Sequence, residues 1–233
     1  STQGVSSAAS DVYKRQFNGR VLASACANGS SEMVTNLSAS VVSILYNFQL
    51  MSIAGENGVA AYGVIMYVNI IFMAIFLGYS IGSAPIVSYH YGAENHTELK
   101  SMFRKSLILL TVSGVILVVL SELVARPLVM IFTSYDPELL DMTASGFQLY
   151  ALAFLPMGFN VWGSAFFTAL NNGAVSACIS FLRTLVFQII VVLTLPILLG
   201  IDGIWLSIVA AELLSLAVTV SFLLVKRKRY QYA

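Results

Sequence analysis

Charge is scarce in this sequence. Asp, Glu, Lys and Arg together make up 10% of its 233 residues, against 58% hydrophobic residues and a mean hydropathy of +0.84. A soluble domain of this length could not cover itself with so few charges. Cysteine is nearly absent. Cys26 and Cys178 stand alone inside apolar runs, without CxxC or CxxH spacing, which argues against a disulfide framework and against zinc and leaves them as small packed residues. Histidine is limited to His90 and His96, both expected to be solvated in one loop. HExxH, GxxxxGK[ST] and clustered nucleophile motifs are missing, so nothing marks an enzyme. The net charge of +1 gives no reason to expect nucleic acid.

Long uncharged stretches are what the chain does have. Residues 33–55, 59–84, 106–121, 142–182, 184–201 and 213–225 contain no Asp, Glu, Lys or Arg. A bilayer core takes about 20 apolar residues per helix. The fold class is therefore an all-α membrane protein, a bundle of six transmembrane helices at roughly 21–51, 59–83, 103–125, 137–170, 174–199 and 204–225. Lys226–Arg229 follow the last helix, and Lys100, Arg104 and Lys105 lie between the second and third. Basic residues beside short loops mark the cytoplasm, which places both ends inside. Asp136-Pro137-Glu138 is a strong helix start, Pro156 should kink the fourth helix, and Pro85 should end the second. Residues 126–132 look like a short interfacial segment with Arg126 at its polar edge.

Ser6–Gln16, SSAASDVYKRQ, resembles the translated adaptor used in preparing sequencing libraries. With no initial Met, the sequence then reads as residues 1–16 of artefact or tail, followed by 17–233 as the end of a longer protein.

Polar residues within the apolar helices fall on arcs. In the first helix Glu32, Asn36, Ser40, Ser43 and Asn47 share one face at 100° per residue. Such a face meets other helices or water rather than lipid, and an intramembrane carboxylate points to function. The second helix carries Tyr62, Met66, Asn69, Met73, Phe76, Ser80 and Ser83, a mixture suited to varied apolar or cationic ligands or to an ordinary core. The fourth offers Tyr150, Met157, Asn160, Ser164 and Thr168. By depth along their helices Glu32 and Arg183 could pair. Glu212, about 12 Å from the Arg183 level at 1.5 Å per residue, looks a poor partner.

Residues 77–95, LGYSIGSAPIVSYHYGAEN, resemble the junction in multidrug and toxic compound extrusion (MATE) transporters. Further similarity lies in RPLVMIF at 126–132, FTALNNG at 167–173, SFLR at 180–183 and the closing KRKRYQYA. The resemblance implies one six-helix lobe of a twelve-helix, two-lobe protein, whose partners are an amino-terminal lobe of the same polypeptide, membrane lipid and a small-molecule substrate. It implies export of organic cations or amphipathic drugs against Na⁺ or H⁺ by alternating access across a prokaryotic plasma membrane, with no cofactor beyond the coupling ion. Glu32 matches an acid that some branches place on the first helix of this lobe and is a candidate for coupling or for Na⁺, with Asn36 and Arg183 beside it. The cavity wall would be Ser40, Ser43, Asn47, Tyr62, Met66, Asn69, Met73, Phe76, Ser80, Asn160 and Ser164, and Gly78, Gly82, Pro85, Gly92 and Pro156 would supply bends. The Asp that those branches place on the fourth helix is missing, and Ser83-Ala84 stands where many members have Gln before Pro. A lipid-linked oligosaccharide flippase of the same superfamily is the rival, although such a cavity should carry several basic residues where only Arg183 qualifies.

Overall fold

The computed structural model describes the backbone of residues 19–134 and 136–233, with side chains from Asn36 onward, Tyr135 apart. Two compact units are distinguished, Ser1–Met33 and Val34–Ala233, and the contacts described lie within the second. The tail Ser1–Gln16, the side chain of Glu32 and Cys26 fall outside the described residues.

All the regular elements among the described residues are helices: α1 Gly19–Gly92, α2 His96–Thr133, α3 Pro137–Ala151, α4 Phe154–Ala169, α5 Gly173–Phe181, a π-helical turn Leu182–Val186, and α6 Phe187–Tyr230. The runs Asn36–Gly92, His96–Thr133 and Gly173–Tyr230 are long and apolar enough to cross a membrane, and the bent pair α3 and α4 makes a fourth. A straight 57-residue helix would extend about 85 Å, nearly three times the hydrocarbon thickness. Two glycines resolve this excess. Gly55 (φ 64, ψ −150) and Gly200 (φ 58, ψ −134) adopt a conformation that side-chain-bearing residues avoid, and they break α1 and α6 into two arms each. Six apolar arms result among the described residues.

Local chemistry sets the remaining boundaries. Asp136 Oδ1 accepts hydrogen bonds from the backbone N–H of Glu138 (2.9 Å) and Leu139 (3.2 Å), with Pro137 in the first turn of α3. Asn172 caps α5 by accepting from Val175 N, and Asn171 takes a positive φ of 57° in the tight turn before it. The α3 and α4 axes meet at 51°, two residues ahead of Pro156, whose missing N–H leaves the Leu152 carbonyl to accept from the Leu155 N–H (3.4 Å) instead.

Several expectations are corrected here. Pro85 does not end the second helix, since α1 runs through it to Gly92. Residues 126–132 are not a separate short segment. They continue α2 to Thr133, with Pro127 accommodated inside the helix and Arg126 paired to Asp141 at 3.0 Å on an exposed surface. A proline within a long helix removes one bond of the ladder, and the packed turns on either side hold the axis. Gly78 and Gly82 lie in unbroken helix and Gly92 closes it; the positive-φ breaks are at Gly55 and Gly200. His90 and His96 are half-buried with their Nδ1 atoms shielded, and Cys178 is exposed rather than packed.

The core is aromatic, with Phe147, Phe154, Trp162, Phe166, Phe167 and Trp205 almost wholly buried. Small residues let the helices approach. A Cβ on Gly146 would lie 2.7 Å from the Trp205 ring, and one on Gly158 would lie 2.6 Å from Phe76. At the far end of α6 the chain folds back. Tyr232 donates to Leu223 O (2.7 Å) and packs its ring against Phe103 and Phe166, while the Tyr230 hydroxyl accepts from Asn172 Nδ2. Burial, with Tyr230 adjoining, pushes the Tyr232 phenol well above its usual pKa.

Candidate functional site

The polar groups of the membrane arms fall into two kinds. Hydroxyls and short amides can satisfy themselves on the carbonyl four residues back along their own helix. In the first arm of α1, Ser40 Oγ donates to Asn36 O (3.1 Å) and Asn47 Nδ2 to Ser43 O (2.8 Å). Ser106, Ser121 and Thr143 do likewise in α2 and α3. An ionised side chain has no such outlet and must find a partner on another element.

Arg183 and Glu212 find each other. Arg183 Nε donates to Glu212 Oε1 (2.8 Å) and Oε2 (3.0 Å), and its Nη2 lies 2.8 Å from Oε1. Asn160 of α4 completes the carboxylate shell. Its Nδ2 donates to Glu212 Oε2 (2.7 Å) and to the Glu212 carbonyl (2.9 Å), while its Oδ1 accepts from Thr219 Oγ1 (3.0 Å). Asn160 and Thr219 are fully buried, and the exposed fractions of the Arg183 and Glu212 side chains are 14% and 3%.

The expectation that Glu212 is a poor partner is therefore corrected. Folding back at Gly200 brings the two residues to levels about five residues, or 7.5 Å, apart, which the long Arg side chain spans. The π turn contributes as well. Arg183 sits within Leu182–Val186, where Phe187 N–H bonds to Leu182 O, one residue further back than in an α-helix. The extra residue changes the phase of the helix and turns Arg183 independently of α6. Removing one partner of such a buried pair typically costs about 3–5 kcal/mol.

Two smaller clusters flank the network. Ser164 Oγ stands 2.8 Å from both Ser176 Oγ and Ser180 Oγ, and Thr168 joins through Ser176. Tyr46 donates to Gln188 Oε1 (2.9 Å) and stacks on Tyr62 at a centroid distance of 5.4 Å. Of the other expected cavity residues, Asn36 and Ser40 are exposed, and Ser43, Asn47, Met66, Asn69 and Met73 are half-buried. Phe76 and Ser80 are buried, Phe76 lying on Gly158. The structure thus brings Asn160 and Arg183 together, ties Tyr62 to the Tyr46–Gln188 contact, and sets Ser164 in a hydroxyl cluster. A separate recess of ≈ 380 Å³ lies between α2 and α3, lined by Glu122, Arg126, Asp141, Ser145 and Gln148, with none of the expected cavity residues.

Sequence reasoning missed Glu212, Thr219 and Gln188. A signal for Glu212 was present, since two opposite charges inside otherwise uncharged spans need one another. Thr219 and Gln188 have no comparable signal, because either can bond to its own backbone.

The family profile described as MatE matches residues 32–194, more than half of the chain. Among solved structures, the Vibrio cholerae MATE transporter VcmN in its bent form superposes with a TM-score of 0.83 at 18% identity, covering 94% of this chain and 50% of that one. An outward-facing multidrug resistance MATE family transporter of the MOP superfamily gives 0.80 at 20% identity, covering 88% and 46%. A MOP superfamily transporter from Pyrococcus furiosus gives 0.78 at 21%, covering 87% and 45%. The chain spans about half the length of these transporters. Comparison with curated proteins gave no match.

Proposed function

Because this chain belongs to the MatE family, we propose that it forms one lobe of a secondary active efflux antiporter, exporting organic cations or other amphipathic drugs in exchange for Na⁺ or H⁺. The observation that carries the reading is the family match over residues 32–194 together with a fold that superposes on half of a MATE transporter. The complementary half would be an amino-terminal lobe of the same polypeptide, and the membrane a prokaryotic plasma membrane with both chain ends cytoplasmic. Alternating access needs no covalent chemistry, and none of the site residues is assigned any.

Coupling needs an acid that can give up its charge. Glu212, the only fully buried acid among the described residues, already holds four close donor contacts from Arg183 and Asn160. Protonating it would strand the Arg183 charge in a low dielectric. Coupling is therefore assigned to Glu32, with Asn36 beside it. The half-buried face of Ser43, Asn47, Met66, Asn69 and Met73 is assigned to the cavity wall.

The test is drug efflux by the two-lobe protein with imposed proton or sodium gradients. Glu32→Gln is expected to abolish the gradient-driven component while leaving expression intact. Efflux unchanged by Glu32→Gln would move coupling to the other lobe. Transport indifferent to both gradients would overturn the antiport reading.

A further inference from the structure

The recess between α2 and α3 is polar where the surface around it is not. The uncharged run 106–121 of α2 covers about 24 Å at 1.5 Å per residue and stops at Glu122. A hydrocarbon core is about 30 Å thick, so Glu122 stands near the level where lipid head groups begin. Leu123 beside it is 73% exposed, and Val119 and Ile116 on the same face of α2 are exposed as well. Ala125 and Ala144 form the buried floor, too short to fill the gap between the two helices.

The polar groups around the recess are unspent. Elsewhere in α2 and α3, Ser106, Ser121 and Thr143 bond to the carbonyl four residues back. Ser145 does not, and among the described residues neither its hydroxyl nor the Gln148 amide has a hydrogen-bond partner. Glu122 and Arg126 lie one turn apart, the spacing at which opposite charges on a helix usually pair. Arg126 instead reaches across to Asp141 through Nη2 alone (3.0 Å), which leaves Glu122 without a cation and Arg126 with donors to spare. Two carboxylates thus face one guanidinium.

We infer that this recess binds the head of a membrane lipid, and that the head is an ethanolamine phosphate. The ammonium goes to Glu122, with the Ser145 hydroxyl and the Gln148 carbonyl oxygen as further acceptors for its N–H groups. The phosphate goes to the spare donors of Arg126. In the lipid two methylenes separate these charges, and on α2 the two residues are about one helical turn, 5.4 Å, apart. A primary ammonium fits better than a quaternary one. Its N–H groups meet oxygen acceptors, whereas a choline head has no N–H and is recognised by aromatic faces, and no aromatic residue lines the recess. A soluble amine would satisfy Glu122 but leave Arg126 and the apolar border unused. The acyl chains of a lipid lie along Leu123, Val119 and Ile116. The inference requires that the chain sit in a membrane and does not depend on the efflux reading.

Native mass spectrometry of the purified chain in detergent micelles reads lipid adducts directly. The probes are dioleoyl phosphatidylethanolamine and dioleoyl phosphatidylcholine, which differ only in the methyl groups on nitrogen. Wild type should retain the ethanolamine lipid about fivefold more than the choline lipid, which is what one exposed charge contact can supply. Glu122→Gln should abolish the preference by removing the carboxylate. Ser145→Leu should abolish it by filling the recess. Both positions are exposed, so the fold is kept, and if one variant is lost in purification the other decides. Glu138→Gln, which neutralises an exposed acid of α3 outside the recess, should keep the preference. Equal retention of the two lipids by wild type overturns the site. So does a preference that survives in Glu122→Gln or Ser145→Leu, or one that is lost in Glu138→Gln. Glycerophosphoethanolamine, the same head without acyl chains, should not displace the lipid at equal concentration. Displacement would overturn the lipid as occupant and make the recess a site for a soluble ligand.

Discussion

The first arm of α1 and the junction of α4 with α6 both present polar side chains within apolar helices, yet they use them differently. On α1, Ser40 and Asn47 spend their donors on their own helix, and Asn36 and Ser40 face outward. At the α4–α6 junction, Asn160, Arg183, Glu212 and Thr219 spend theirs on one another across elements, almost wholly buried. A shared arc of polar residues does not separate the two cases, because hydroxyls and short amides can be satisfied locally. Charge separates them.

This contrast can be broken by mutation, with unfolding of the chain in detergent as the readout. Glu212→Ala should have the largest effect, a loss of about 3–5 kcal/mol, because it strands a buried guanidinium. Arg183→Gln/Glu212→Gln should recover most of that loss, as neutral amides replace the ion pair. If the double variant is no more stable than Glu212→Ala, the cost was one of packing rather than charge. Asn160→Ala should come next at about 1–3 kcal/mol, the penalty of leaving buried acceptors without their donor. Tyr46→Phe removes one part-buried bond to Gln188 and should cost about 0.5–1.5 kcal/mol. Ser40→Ala should fall within about 0.5 kcal/mol of wild type, being exposed and bonded only to its own helix. A Ser40→Ala loss as large as that of Asn160→Ala would erase the distinction between the two regions.

Much of the fold was legible because hydropathy and helix stops are local. The uncharged stretches mark the arms, Asp136-Pro137-Glu138 marks the start of α3, and Gly55 and Gly200 stand where the arms were expected to end. Pro85 misled because a proline's local penalty is outweighed when long packed turns flank it, as Pro127 inside α2 also illustrates. The site was only half legible. Asn160 and Arg183 were singled out, and Glu212 was set aside on axial distance alone. The error came from treating two helices as rulers laid side by side, when the break at Gly200 sets where the second ruler starts. Glu32 is the residue on which coupling rests in this reading, and sequence remains its sole argument.

The π turn at Leu182–Val186 acts as a slipped tooth in a gear. Everything before it meshes at one setting and everything after it at another, so Arg183 and Gln188 are not related by ordinary helical phase. Closing the turn to a regular α-helix with every residue kept would rotate the upstream stretch by about 100° relative to α6. Arg183 could then no longer face Glu212 while Gln188 kept its bond to Tyr46. The widened turn lets both contacts exist at once, and the same residues wound as a regular α-helix throughout would have to give up one of them.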